Sequence, residues 1–173
     1  MGKRSDFERV PRDFYPTPRA AVEPLASHLP VGACFDEPCA GDGRLVGHLQ
    51  ALGFKCLRAT DIEPRASWIG ELDALSIGPS TASLYITNPP WDRKVLHPLI
   101  ERLAQQKPTW LLFDADWMHT KQSAPFMPWL RKVVSVGRVK WIEDSPFTGK
   151  DNCCWYLFDA QTEAPAQFIG RAA

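Results

Sequence analysis

The chain has 173 residues, of which 45% are hydrophobic and 23% are charged, enough apolar residues for the core of one compact domain. Its 20 lysines and arginines balance 20 aspartates and glutamates, which excludes a protein that holds nucleic acid by bulk positive charge. No apolar run reaches the ~18–20 residues of a membrane span, no apolar stretch follows the charged N-terminus as in a signal peptide, and the cysteines lack C-x-x-C spacing. These features predict a cytoplasmic protein with reduced thiols and no membrane partner.

Strands and helices alternate along the predicted chain. Prolines keep the first 18 residues irregular, and spaced apolar residues then predict the first helix. The predicted helices cover 19–28, 42–52, 63–70 and 93–105, with a proline-interrupted one over 123–130. The predicted strands cover 33–36, 55–60, 83–87, 109–113, 133–142 and 153–158. Short connections between alternating elements predict a mainly parallel sheet with helices on both faces, and the last two strands are expected to pair antiparallel at one edge.

A glycine-rich turn over 35–43 joins the first predicted strand to the second predicted helix. Gly41 and Gly43 permit a tight turn and a close approach of the backbone to a ligand. The turn is neither a P-loop nor a dinucleotide-binding G-x-G-x-x-G sequence, so a phosphate cradle and a simple tight turn both remain open. About 20 residues on, Asp61 ends the second predicted strand, where doubly wound folds place the acid that binds a ribose. A turn or helix-cap role before Pro64 is the alternative.

The strongest motif is 85–91, in which an apolar strand runs into Asn88, two prolines and Trp91. The prolines fix the backbone and remove amide hydrogens, so the carbonyls before them are directed away from a regular ladder. Asn88 offers an acceptor oxygen and Trp91 a flat stacking surface. The motif therefore predicts a site that grips a planar group carrying an NH₂, with a simple proline-rich turn as the alternative.

Charge is unevenly distributed despite the neutral total. The stretch 121–150 carries a net charge of +4, and 61–92 carries −4. The basic stretch can follow a phosphate backbone, or it can be an ordinary solvated surface. The four histidines are scattered, and no metal-ligand spacing is present, so no metal site is predicted.

Together, four segments resemble the ordered motifs of class I S-adenosylmethionine-dependent amino-methyltransferases, most closely the small DNA adenine-N6 methyltransferases of bacteriophages and mobile elements. The segments are 13–18 (DFYPTP), 37–43 (EPCAGDG), 61–62 (DI) and 88–91 (NPPW). The resemblance implies a Rossmann-like α/β fold, with a mostly parallel seven-stranded sheet, an antiparallel C-terminal hairpin and helices on both faces. It also implies an N-terminal arm over the cofactor (1–18). The length of the chain predicts a single domain over 1–173 with a loose tail (160–173), and the chain departs from restriction-associated members of the family in leaving no room for a separate target-recognition domain.

The resemblance implies S-adenosylmethionine as the cofactor and assigns roles to matching positions. Its cofactor-binding residues would be Tyr15, Thr17, Pro18, Glu37, Cys39, Ala40, Gly41, Asp61, Ile62, Asp73, Ala74 and Asn88. Its catalytic residues would be Asn88, Pro89, Pro90 and Trp91, and its substrate contacts Trp91, Lys121, Phe147 and Lys150. Trp91 stands where tyrosine or phenylalanine is usual.

The expected reaction is methylation of the exocyclic amino nitrogen of adenine in DNA, after base flipping into the NPPW pocket. The expected partner is nucleic acid, DNA first, in a bacterial or phage-infected cell. The protein would act as a monomer or with a second protein that supplies specificity. Methylation of RNA or of a protein glutamine, and a non-catalytic binding module with the same fold, are the alternatives.

Overall fold

A mixed β-sheet forms the centre of the molecule. The computed structural model describes residues 13–142 and 148–171, and within these ranges it contains eight strands. They are β1 (Cys34–Glu37), β2 (Lys55–Asp61), β3 (Gly70–Glu71), β4 (Leu84–Thr87), β5 (Thr109–Asp114), β6 (Leu130–Arg138), β7 (Asn152–Phe158) and β8 (Gln167–Ile169). Their order is β3-β2-β1-β4-β5-β7-β6-β8, and β7 alone runs antiparallel to its neighbours. The expected parallel sheet with a C-terminal antiparallel hairpin is confirmed.

Three α-helices and three 3₁₀ segments connect the strands of the described part. The helices are α1 (Arg19–Ala26), α2 (Arg44–Ala51) and α3 (Arg93–Ala104), and the 3₁₀ segments are Ala74–Ser76, Ala115–His119 and Lys121–Trp129. Helix α3 begins where the Asp92 side chain accepts a hydrogen bond from the Lys94 amide at 3.0 Å. Among the described helices, none is long and apolar enough to cross a bilayer.

Alternating side chains of the strands form two cores, one on each face of the sheet. Ile86, Leu112 and Trp155 pack with the apolar sides of α1 and α2. Their chain neighbours, such as Tyr85 and Phe113, pack on the opposite face with α3 and the 3₁₀ segments. Because successive side chains of a strand point to opposite faces, near-continuous apolar strands are buried between two helical layers. The fold is therefore a three-layer α/β/α arrangement.

The connections that follow β1, β2 and β4 lie together at one edge of the sheet. These strands are mutually parallel neighbours, with β2 on one side of β1 and β4 on the other. Open α/β sheets bind ligands where the strand order reverses in this way, outside the carboxyl ends of the strands. The glycine-rich turn, Asp61 and the Asn-Pro-Pro-Trp segment are consequently brought to one place.

Two predicted helices are wrong. Residues 63–70 form bends and turns that lead into β3, and the Arg65 amide donates to the Gly41 carbonyl at 2.9 Å instead of to a helical partner. The segment from Lys121 to Trp129 is a 3₁₀ helix, because Pro125 and Pro128 lack the amide hydrogens that an α-helix needs.

The C-terminal tail is not loose throughout, and the sheet has eight strands instead of seven. Strand β8 pairs parallel with β6, and the Arg131 side chain holds the segment before it. Arg131 donates from Nε to Thr162 Oγ1 at 3.1 Å and from Nη1 to the Ala164 carbonyl at 3.3 Å. A tail with few apolar residues is therefore ordered by hydrogen bonds to a side-chain hydroxyl and a backbone carbonyl and by pairing with β6, none of which hydrophobic periodicity reveals.

Candidate functional site

A cavity of about 260 Å³ opens at the carboxyl edge of β1, β2 and β4. Its lining comes from five separate segments of the chain, which lie within 13–17, 37–45, 61–65, 73–75 and 88–99. The predicted site residues that line it are Tyr15, Thr17, Glu37, Cys39, Ala40, Gly41, Asp61, Ile62, Asp73, Ala74, Asn88 and Pro90. Pro18, Pro89 and Trp91 lie outside the lining, although each directly adjoins a lining residue in the chain.

The glycine-rich turn forms the floor of the cavity. Its tight path depends on glycines in backbone conformations that other residues avoid. Gly41 and Gly43 have φ angles of +54° and +83°. A Cβ atom on Gly41 would lie 2.6 Å from the Phe14 ring, and the Arg65 guanidinium lies 3.9 Å from the centroid of the same ring. The segment around Phe14 therefore closes onto the turn and makes one wall of the cavity. Phe14 and Arg65 were not among the predicted site residues.

Asp61 holds the glycine-rich turn against the end of β2. Its Oδ2 accepts a hydrogen bond from the Gly41 amide at 2.8 Å, and its Oδ1 accepts one from the Glu63 amide at 2.8 Å. Each carboxylate oxygen can accept a second hydrogen bond, so the side chain can bind a ligand hydroxyl while it keeps both backbone contacts. Asp61 thus stabilises the turn, as the alternative interpretation predicted, and it can still bind a ligand.

Glu37 places a buried carboxyl group in the cavity lining. Its side chain is 2% exposed, and Oε2 has no hydrogen-bond partner among the described residues. Burial raises the pKa of Glu37 well above its ordinary value, and the nearby charges of Asp61 and Asp42 raise it further. An unpartnered buried carboxyl oxygen is costly, so this group is suited to a positively charged or hydrogen-bond-donating ligand.

Cys39 lies beside Glu37 in the cavity lining. Burial, and next the charge of Asp61, raise the pKa of its thiol. A thiol with a raised pKa stays protonated and is a poor nucleophile. The structure thus favours the interpretation of Cys39 as a small apolar lining residue.

Asn88 directs its amide nitrogen toward the N-terminal arm. Its Nδ2 donates to the Tyr15 carbonyl at 3.3 Å and to Thr17 Oγ1 at 3.1 Å. Because both hydrogens of the amide are engaged on this side, the side-chain oxygen is the part of Asn88 left to accept a hydrogen bond from a ligand.

Trp91 belongs to an aromatic cluster beside the cavity, formed by Tyr15, Trp91 and Trp141. Its indole nitrogen donates to the Leu112 carbonyl at 3.2 Å, and its ring meets Trp141 edge-on at a centroid distance of 5.8 Å. The centroid of Trp141 lies 6.3 Å from that of Tyr15. The structure thus adds Trp141, which sequence reasoning did not assign to the site because its distance from residue 91 along the chain gives no signal.

The cavity mouth combines exposed apolar side chains with an acid. Ile62, Leu75 and Val95 are 52%, 40% and 38% exposed and line the cavity. Asp73 accepts a hydrogen bond from the Leu75 amide at 2.9 Å and starts the 3₁₀ segment there. Apolar side chains around a carboxylate suit a flat heterocycle that carries hydrogen-bond donors at its edge.

The predicted substrate contacts are not gathered at the cavity. Lys121 and Lys150 are exposed and do not line it, and Phe147 lies outside the described residues. Several further lining residues were not assigned to the site from the sequence, although some lie within or beside its motifs. They are Asp13, Phe14, Leu45, Arg65, Leu75, Lys94, Val95 and Leu99, among others.

Comparison with known proteins shows the fold of the chain. No protein-family model and no curated protein matches it. Solved structures do match, among them a protein described as an RNA methyltransferase from Pyrococcus horikoshii, with 18% identity, a TM-score of 0.59, and 91% of this chain and 92% of that chain covered. A dimethyladenosine transferase from Plasmodium falciparum matches with 15% identity, a TM-score of 0.55 and coverages of 86% and 63%.

A type I restriction-modification methyltransferase subunit from Streptococcus thermophilus matches with 8% identity, a TM-score of 0.56 and coverages of 90% and 47%. The chain thus spans about half the length of that subunit and less than two thirds of the dimethyladenosine transferase. These likenesses show that the chain has the Rossmann-like fold of class I methyltransferases.

Proposed function

We propose that this protein transfers a methyl group from S-adenosylmethionine to the exocyclic amino nitrogen of adenine in DNA. The observation that carries the proposal is the position of Asn88, whose amide nitrogen is engaged by the N-terminal arm while its side chain lines the same cavity as Glu37 and Asp61. An acceptor oxygen is thereby offered to an amino group beside an acidic ligand-binding cavity.

The residues of the cavity fit S-adenosylmethionine. The unpartnered Oε2 of Glu37 suits the positively charged end of the molecule, and Asp61 can accept from ribose hydroxyls. Asp73 and the apolar Ile62 and Val95 suit the edge and faces of its adenine ring. When bound, this cofactor supplies an electrophilic methyl group on a sulfonium.

The contribution of the chain to the reaction is orientation and charge stabilisation. The lone pair of an adenine amino group is delocalised into its ring, so the nitrogen is a weak nucleophile. The Asn88 oxygen and the Pro89 carbonyl would each accept one amino hydrogen, which makes the lone pair available and places fixed dipoles against the positive charge that develops on the nitrogen. Once methylated, the positively charged nitrogen would lose one hydrogen as a proton to water, because the lone pair then returns to conjugation with the ring, so the mechanism calls for no strong base in the cavity.

A base in a duplex must leave its stack to reach a cavity of this kind. The aromatic cluster lies next to Asn88 and offers flat side chains for an extruded base, once the Trp91 or Trp141 ring turns from its present edge-on contact. RNA is the second candidate substrate, since the chain spans 92% of the protein described as an RNA methyltransferase. DNA is preferred because the four segments 13–18, 37–43, 61–62 and 88–91 together most resemble DNA adenine-N6 methyltransferases.

Parallel methyl-transfer assays test the proposal. Tritiated S-adenosylmethionine is supplied with unmethylated duplex DNA, single-stranded DNA, RNA or a protein extract, and the labelled product is identified by nucleoside or amino-acid analysis. N6-methyladenosine from RNA alone selects the second candidate, and N6-methyldeoxyadenosine supports the first. Label confined to protein, or to cytosine, contradicts both.

Replacing Asn88 by alanine is expected to abolish methyl transfer while the affinity for S-adenosylhomocysteine stays within about threefold. The variant loses the acceptor for the target amine but keeps Glu37, Asp61 and Asp73. A single transition-state hydrogen bond is worth roughly 10²–10³ in turnover, so activity should fall by at least that factor. Gln50→Ala, which removes an exposed amide from α2, is the matched control. Near-normal turnover of the Asn88 variant would count against the assigned role.

A further inference from the structure

The amide group of Asn88 has two possible orientations, which differ by exchange of its oxygen and nitrogen. In the observed orientation Nδ2 donates to the Tyr15 carbonyl and to Thr17 Oγ1, at 3.3 and 3.1 Å. Both acceptors belong to the N-terminal arm, which is more than 70 residues away in the chain. The arm therefore contacts the end of the Asn88 side chain, where the two orientations of the amide differ.

The alternative orientation is disfavoured by the chemistry of the arm. A backbone carbonyl accepts hydrogen bonds but cannot donate them, so a flipped Asn88 would place its oxygen against the oxygen of Tyr15. The Asn88 nitrogen would then point into the cavity, where it would repel the hydrogens of a target amine. Only the observed orientation presents an acceptor to that amine.

Thr17 is built into this contact. It is 5% exposed and lies next to Pro18, which immediately precedes α1. Its hydroxyl is the side-chain acceptor for Asn88, whereas the contact from Tyr15 is made by backbone. A single substitution at Thr17 therefore changes the orientation contact and leaves both the chain path and the Asn88 side chain in place.

We infer that Thr17 is a positioning residue for methyl transfer: its hydroxyl anchors the Asn88 amide against the N-terminal arm, where the Tyr15 carbonyl sets the orientation that leaves the oxygen toward the target amine. This inference rests on the proposed function, and it gives Thr17 a role other than the cofactor contact implied by family resemblance. The arm over the cavity would then control turnover as well as cover the bound cofactor.

The orientation contact is tested first by NMR, without any reaction. The side-chain amide signals of Asn88 are identified in a ¹⁵N-labelled sample by their loss in Asn88→Ala. We expect Thr17→Val, which keeps the shape but removes the acceptor, to shift these signals, and Thr17→Ser to leave them close to their original positions. Unchanged signals in the valine variant overturn the contact itself. Thr17→Ala provides the same comparison should the valine variant fail to fold.

Kinetics then test the positioning role. We expect Thr17→Val to lower kcat by about tenfold or more, Thr17→Ser to restore it to within about threefold, and both to bind S-adenosylhomocysteine within about twofold of the original protein. A normal kcat in Thr17→Val, or a defect confined to cofactor affinity, overturns the inference while the proposed function stands. Normal turnover in Asn88→Ala likewise overturns the inference, whereas absence of methyl transfer to nucleic acid by the unsubstituted protein overturns the proposed function, and the NMR result then still reports on the contact.

Discussion

At the scale of single residues, two carboxyl groups in one cavity have different hydrogen-bond partners. Asp61 accepts hydrogen bonds from two backbone amides, at 2.8 Å each. Glu37 is almost fully buried, and one of its oxygens has no partner in the described part of the chain. Hydrogen-bond donors stabilise an ionised carboxylate, whereas burial beside other negative charges disfavours it. The cavity therefore contains one carboxyl group that two backbone amides hold in place and one that burial shifts toward the protonated form.

The pH dependence of stability should report the state of Glu37. Because its pKa is raised in the folded protein, the folded state retains a proton that the unfolded chain releases above about pH 4.5. Stability then falls as the pH rises from that value toward the folded pKa. We expect Glu37→Gln to remove this decline and to raise the melting temperature at pH 8 more than at pH 5, as measured by thermal denaturation.

The exposed Glu71, at the edge strand β3, provides the control through Glu71→Gln. A melting temperature of Glu37→Gln that follows the same pH profile as the unmodified protein would show that Glu37 is ionised in the free cavity. S-adenosylhomocysteine binding by the same variant should be weaker, since a neutral amide replaces the acid opposite the positively charged end of the ligand.

At the scale of secondary-structure elements, the turn before α2 requires a glycine, whereas a glycine inside α2 is not required. Gly43 immediately precedes α2 with a φ of +83°, and a Cβ atom there would lie 2.2 Å from the Trp68 ring. Gly47 lies inside the same helix, and a Cβ atom there would meet nothing within 4 Å. Two glycines four residues apart are thus present in opposite circumstances, one required and one replaceable.

Alanine substitutions at these two glycines should shift stability in opposite directions. Gly47→Ala is expected to stabilise the protein by about 0.5–1 kcal/mol, because alanine loses less conformational entropy in a helix. Gly43→Ala is expected to destabilise it by about 1–2 kcal/mol from the left-handed backbone alone, with the Trp68 side chain displaced as well. Urea denaturation of both variants measures the difference. Equal urea midpoints for Gly43→Ala and Gly47→Ala would contradict the geometry described for the turn.

Strand β8 is the second element whose order depends on particular contacts. Arg131 donates hydrogen bonds to Thr162 and Ala164 before the strand begins. We expect Arg131→Ala to increase amide hydrogen exchange across 162–169 by about tenfold, while exchange in β1 and β4 is unchanged. Arg131 lies in β6, and Arg138→Ala, at the exposed end of that strand, is the matched control. If exchange across 162–169 stays slow in the Arg131 variant, the β6–β8 pairing alone is sufficient to order the tail.

At the scale of the whole molecule, most of the described residues build the sheet, its two helical layers and the cavity. The connection after β5 and the connection between β6 and β7 leave the sheet beside the site and fall largely within the basic stretch 121–150. Under the proposed function, few of the described side chains outside these layers are left to read bases, whereas the exposed lysines and arginines of this stretch suit contacts with phosphates. This division favours binding that depends on charge and a recognition sequence that is short.

Sequencing of modified DNA tests the prediction for the whole molecule. Expression in a methylation-deficient host should modify adenine in a context of about two to four base pairs, because each good bidentate contact discriminates by only ~1–3 kcal/mol. Binding should weaken steeply as salt rises, with a slope that reports the number of phosphates contacted. A strict six-base site, or modified cytosine beside unmodified adenine, would contradict this expectation.

The sequence by itself determined the elements whose signals are local. Apolar spacing identified α1, α2, α3 and most strands, since each of these elements presents its buried face at a fixed interval along the chain. The glycine-rich turn and the Asn-Pro-Pro-Trp segment were also evident, because glycine and proline restrict the backbone wherever they occur. Alternation of these elements was sufficient for the fold class.

Only the tertiary structure decided the features that depend on which distant residues meet. Asn88 donates a hydrogen bond to Thr17, 71 residues earlier, and the Trp91 ring meets Trp141, 50 residues later. The protonation of Glu37 depends on its burial and on Asp61. Strand β8 depends likewise on Arg131, 31 residues before Thr162. Such contacts follow from the order and register of the strands, so their energies are properties of the assembled sheet and leave no periodic trace in the sequence.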